Sequence, residues 1–148
     1  MKDSTFIKIY CVIKSRDKIA MTQDEEGQPG WKFPGGHVEE KELILAAASR
    51  EVKEEIGLEI NPTNILLIED FFNQKRPDEH NMRFFITAEL TGGKEELRKG
   101  EVKQLQWFSH SELENLKEQD VYPPHWTALQ KYLSGTQYPL SILSEVKA

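Results

Sequence analysis

The chain has 148 residues, 38% of them apolar and 30% charged, with three tryptophans, which suits one domain around a single core. A formal charge of −6 argues against a nucleic-acid partner, whose binders carry a basic face, and no apolar run is long enough to span a bilayer. The lone Cys11 excludes an internal disulfide and a cysteine metal cluster.

Met1-Lys2-Asp3-Ser4 lacks the ordered regions of a secretory signal, so a reducing, cytoplasmic setting is expected. Phe6 to Ile13 is β-branched and aromatic and predicts a strand, with Ser15-Arg16-Asp17 turning into a neighbour over Lys18 to Thr22. Asp24 to Gly30 predicts a loop, and Trp31-Lys32-Phe33 a short strand before the turn Pro34-Gly35-Gly36. A helix follows from Lys41 to Ile56, stopped by Gly57. Asn61-Pro62 predicts a break, and Ile65 to Phe72 a strand. After a polar loop, alternation from Met82 to Leu90 predicts a half-buried strand ended by Thr91-Gly92-Gly93. Leu105 to Phe108 reads as a short strand, Ser109 to Leu116 as a helix capped by Ser109 or Ser111, and Pro123-Pro124 as the start of a helix with Trp126, Leu129, Tyr132 and Leu133 on one face. The irregular order predicts a mixed sheet covered by helices.

The first helix carries an electrostatic oddity. Ile44, Ala48, Val52 and Ile56 make an apolar stripe at about 100° per residue. Glu51 and Glu54 flank it and Glu55 lies inside it, while Lys53 is on the opposite face. The cluster stands at the helix C-terminal end, where the macrodipole already disfavours negative charge. A carboxylate at a core boundary needs a partner or a shifted pKa. A hard divalent cation, Mg²⁺ or Mn²⁺, supplies one, because it takes oxygen ligands. Gly35-Gly36 beside the helix allows close approach of a ligand and can offer carbonyls.

The stretch Gly36 to Leu58 resembles the Nudix box, G-x5-E-x7-R-E-U-x-E-E-x-G-U with U aliphatic. Gly36, Glu42, Arg50, Glu51, Val52, Glu54, Glu55, Ile56, Gly57 and Leu58 fill the pattern without departure over 23 residues. A chance match at one site is roughly one in 10⁹. The resemblance implies an α/β/α sandwich with a mixed sheet, in which the box forms a loop-helix-loop. It further implies a metal-dependent hydrolase of a phosphoanhydride in a nucleoside diphosphate derivative. Glu51, Glu54 and Glu55 would bind Mg²⁺ or Mn²⁺, with the Gly35 carbonyl as a frequent extra ligand. Arg50 would orient the glutamates through its fork of donors. Gly36, Glu42 and Gly57 would serve the motif's structure. Glu51 is one candidate base. Relatives often place another carboxylate on a loop before a late Trp-Phe strand. Glu101, six residues before Trp107-Phe108, is the expected ligand or base, with Glu95 and Glu96 as competitors.

Trp31, Phe33 and Phe84 or Phe85 are candidates to stack on a base, although core packing is the plainer role for each. Arg76, Lys75 and Arg83 are weak candidates to meet a phosphate, with solvated basic residues as the plainer reading of all three, and His37 beside the box is another weak candidate. The box leaves the substrate open. Diadenosine-polyphosphate hydrolases tend to carry a tyrosine about seventeen residues past the box, where Gln74 and Lys75 stand here. The matching proline of ADP-ribose pyrophosphatases falls slightly late, at Pro77. The upstream signature of coenzyme A pyrophosphatases is absent. Trp31 to Glu39 looks most like the smaller (deoxy)nucleoside triphosphate pyrophosphohydrolases, with a nucleoside diphosphate sugar or ADP-ribose hydrolase as the alternative. A non-catalytic nucleotide sensor on the same fold is disfavoured by the intact glutamates, and an RNA-binding role by the acidic balance. The expected partner is a small nucleotide, and relatives are commonly homodimers.

Overall fold

A computed structural model describes residues 4–146. Met1–Asp3 of the N-terminal segment and the last two residues lie outside the described residues. Strands β1 (Ser4–Ser15) and β2 (Lys18–Asp24) form the expected hairpin. Its two-residue turn holds Arg16 and Asp17 at φ 50° and 63°, the twist that matches flanking strands. The short strand lies four residues later than expected: β3 is Gly35–His37, antiparallel to β1, while Trp31 and Lys32 make only isolated bridges. Gly35 explains the shift. At φ 153°, a Cβ there would fall 2.0 Å from the Ile9 carbonyl oxygen, so only glycine lets this segment approach β1.

Helix α1 is Ile44–Ile56, beginning three residues after the expected Lys41. Lys41 has φ 62°, outside the right-handed helical region. Gly57, at φ 79°, ends the helix by donating its N–H to the Lys53 carbonyl. Strand β4 (Leu58–Phe72) runs straight through Asn61-Pro62 instead of breaking there. Register shifts between Glu59 and Ile60 and between Pro62 and Asn64 absorb the proline as a bulge. Strand β5 (Glu79–Gly93) is more than half-buried: Phe84 to Ala88 are buried on both faces, because it is the central strand of the sheet. Then follow β6 (Val102–Ser109), α2 (His110–Asn115), a 3-10 turn Pro123–His125, α3 (Trp126–Leu133) and β7 (Tyr138–Pro139). Ser109 is the cap, accepting from the Glu112 N–H at 3.2 Å while Glu112 Oε1 accepts from the Ser109 N–H at 2.9 Å.

The sheet order is β6-β2-β1-β5-β4-β7, with β3 on β1. Only β1 with β5 is parallel among these pairs, so the sheet is mixed. One face packs Ile9, Cys11 and Ile86 under Val52 and Ile56 of α1. The other packs Val12 and Phe85 under Leu113 of α2 and Leu129 of α3. This is the expected α/β/α arrangement. Among the described residues, no helix is long and apolar enough to cross a membrane.

Candidate active site

Arg50 organises the acidic helix. Its Nε donates to Glu42 Oε2 at 2.6 Å and its Nη2 to Glu42 Oε1 at 2.9 Å. Nη1 donates to both Glu51 Oε1 and Glu54 Oε2 at 3.0 Å, and Nη2 also reaches the His37 carbonyl at 2.9 Å. One fork therefore joins the preceding loop to two glutamates one turn apart, as Lys could not. The Arg50 side chain holds the Glu42 carboxyl below the usual carboxylate range, and Glu42 foremost raises the Arg50 pKa in return.

Glu55 stands apart from this network. It is 7% exposed, and its Oε1 accepts from the Gly35 N–H at 2.9 Å. Burial first, and the neighbouring Glu51 charge after it, push its carboxyl up to about 8. Gly36 faces Glu51 so closely that a Cβ would come within 2.7 Å of the carboxylate carbon. From the opposite sheet face, His125 Nδ1 accepts from the Phe33 N–H at 2.9 Å. His125 is wholly buried among Tyr10, Phe85 and Tyr122, with Nε2 lacking a partner. Burial drives its pKa well below the usual value, so the ring is neutral.

Gly36, Glu51, Glu55 and Glu101 face one cleft of about 400 Å³, together with Lys32 and Arg98. Glu54 lies across Arg98, in an adjoining groove of about 770 Å³ that also takes Glu96. Arg98 bridges the two, 3.8 Å from Glu54 and 3.5 Å from Glu101. Glu95 lines neither cavity. Among the described residues, no three acidic, His or Cys side chains converge as a ready metal cage: Arg50 and Arg98 draw Glu54 one way and the Gly35 N–H draws Glu55 another. The donor chemistry nonetheless fits a hard cation. Glu55 is a desolvated carboxylate beside a second carboxylate, and Gly36 keeps the space above Glu51 free of a side chain.

The remaining sequence candidates divide. His37 lines the cleft. Phe33 and Phe84 are 0% and 8% exposed and belong to the two cores. Trp31 packs edge-on against Phe108, ring centres 5.0 Å apart. Arg76 is exposed, 3.7 Å from Glu79, away from the cleft. Sequence reasoning passed over Lys32, which pairs with Asp24 at 3.2 Å and sits 4.9 Å over the Tyr122 ring, and also Arg98 and His125. The alternation in Trp31-Lys32-Phe33 could have set Lys32 apart from its aromatic neighbours.

A family model described as NUDIX domain matches residues 6–132. The chain is 36% identical over 98 residues to the NAD-capped RNA hydrolase NudC of Deinococcus radiodurans, covering 66% of this chain and 31% of that one. It is 33% identical over 94 residues to the 8-oxo-dGDP phosphatase NUDT18 of Danio rerio, covering 62% and 27%. The chain thus spans about a third or less of the length of these curated relatives. Among solved structures, a NUDIX hydrolase from Nitrosomonas europaea superimposes with a TM-score of 0.79 at 24% identity, covering 97% of this chain and 98% of that one, a likeness of fold.

Proposed function

Because this chain belongs to the Nudix family, we propose that it hydrolyses a phosphoanhydride bond in a nucleoside diphosphate derivative, with (deoxy)nucleoside triphosphates as the favoured substrates. The observation that carries this reading is the pairing of a desolvated Glu55 with Glu51 beneath a Gly-Gly turn, at the edge of an open cleft. A relative named for 8-oxo-dGDP adds support for a nucleotide substrate, though it points to a diphosphate and leaves the triphosphate preference to the screen below.

Glu51, Glu55 and Glu101 would hold Mg²⁺ or Mn²⁺, with Glu54 and the Gly35 carbonyl as further donors. Bound there, the ion would neutralise phosphate oxygens and acidify a water. Arg50 keeps Glu51 and Glu54 oriented. Glu51 or Glu101, both of which line the cleft, would accept the proton of the attacking water. In-line attack at phosphorus then releases two phosphorylated products. The neutral His125 and the Glu55 carboxyl set the position of the turn over which the substrate lies.

The test is a Mg²⁺/Mn²⁺ screen of nucleoside triphosphates, dinucleotides, ADP-ribose and nucleotide sugars, with both products identified. Release of pyrophosphate and a nucleoside monophosphate is expected, EDTA abolishing it reversibly. Glu54→Gln should lower kcat on the order of 10²-fold while the fold stays intact. Normal turnover in that variant removes Glu54 from the metal set, and normal turnover in EDTA rejects the metal assignment as a whole.

A further inference from the structure

The α3-side face of the sheet carries two cations, Lys8 and Arg83, that do not line the cleft. Lys8 on β1 is directly opposite His37 on β3 and Arg83 on β5, and Arg83 is opposite Glu69 on β4. Side chains paired this way share one face of the sheet. Like charges directly opposite each other on adjacent strands are destabilising, yet Lys8 and Arg83 are so placed. Lys8 is partly buried and, among the described residues, has no carboxylate within ion-pair distance. The nearby Glu79 is already bonded by Asn73 and Asn81. Arg83 spends only its Nε on Glu69, at 2.9 Å, with its guanidinium 4.5 Å over the Phe71 ring. Among the described residues its Nη groups make no hydrogen bond. Lys8, partly desolvated and without an ion-pair partner among the described residues, stands beside an Arg83 whose Nη donors are unused, and together they offer an anion both charge and hydrogen bonds.

A cavity lies at either end of this row. His37 lines the cleft of the carboxylates, and Arg83 lines a second cavity of about 790 Å³ walled by Phe71, Phe72, Pro123 and Pro124, with the Glu69 and Asp70 carboxylates also on its wall. Lys8 stands between them in the register. We propose that Lys8 and Arg83, with His37 at the rim, form a subsite for a phosphate group that the substrate carries beyond the linkage under attack. The proposal rests on the reading of the adjoining cleft given above. The phosphate could be the next one of a polyphosphate chain or a monoester on a remote sugar.

Two probe pairs separate these sources: dGTP against dGDP for the chain phosphate, and NADPH against NADH for the sugar phosphate. KM and kcat in Mg²⁺, and calorimetric Kd in EDTA, are measured for wild type, Lys8→Gln and Lys8→Arg. Wild type is expected to favour the extra phosphate of one pair by about tenfold in KM or Kd. Lys8→Gln should erase that preference through KM far more than through kcat, and Lys8→Arg should retain it. Removing a like-charge contact keeps Lys8→Gln folded. The subsite is overturned if wild type shows no preference in either pair, if Lys8→Gln keeps it, or if Lys8→Arg loses it as Lys8→Gln does. If no probe is hydrolysed but the Kd preference still depends on Lys8, the hydrolytic reading of the cleft fails and the subsite stands.

Discussion

Glu55 and His125 hold the same short segment from opposite faces of the sheet, and burial acts on them in opposite directions. Each accepts one backbone N–H, from Gly35 and from Phe33 respectively, both at 2.9 Å. Desolvation disfavours the charged form of either group, which raises the carboxyl and lowers the imidazole. On the α3 side the neutral state completes the structure: His125 is enclosed by aromatic rings and, among the described residues, has no counter-ion. On the α1 side the neutral state is only one of two, because Glu55 borders an open cleft where a cation can replace the proton. Equal burial therefore marks a fixed support in one place and a ligand seat in the other; access to the cleft makes the difference.

The largest effect should come from the segment both groups hold. Gly35→Ala drives a Cβ into the β1 backbone and should cost about 3 kcal/mol or more, read by urea unfolding, with loss of activity. His125→Phe keeps the ring volume but leaves the Phe33 N–H without an acceptor. A loss of about 1–3 kcal/mol is expected, and an unchanged midpoint would show that His125 is only a filler. Glu55→Gln should behave oppositely, since Gln keeps an acceptor oxygen for Gly35 and removes the desolvated charge. In EDTA at about pH 8 it should be no less stable than wild type, while Mg²⁺ no longer raises its melting temperature.

Acidity separates the two sides further. The folded protein holds the Glu55 proton more tightly than the unfolded chain does, so metal-free stability from this group falls as pH rises from 4.5 to about 8. It holds the His125 proton less tightly, so stability from that group is present above 6.5 and is lost as pH falls below it. Unfolding free energies across this range in EDTA should rise monotonically to a plateau in Glu55→Gln and decline monotonically in His125→Phe. A common profile for both variants would mean that neither group carries the linkage. The smallest change is expected at the exposed Glu101: Glu101→Gln should lower kcat about tenfold, with Glu95→Gln near wild type. The reverse order would assign the loop carboxylate's role to Glu95.

Much of the α1 side could be read in the chain itself. The spacing of Glu51, Glu54 and Glu55 against Ile44, Ala48, Val52 and Ile56 foretold that Glu55 would be buried and Glu54 half-exposed, since helical period alone decides which residues share a face. Gly57 marked its own helix end because few other residues tolerate its backbone angles. The helix start escaped, since nothing in Glu39 to Leu43 shows that Lys41 takes a left-handed turn.

Local sequence thus determined the sheet-and-helix layering, the acidic helix and the glycine turn, because each follows from periodicity or from a backbone angle set within a few residues. Tertiary structure alone decided that His125 reaches Phe33 across 92 positions, that Arg98 stands between Glu54 and Glu101, and that Lys8 meets Arg83. Those meetings depend on strand order and register, above all the parallel pairing of β1 with β5, and a register joins residues by their place in the sheet whatever their distance along the chain.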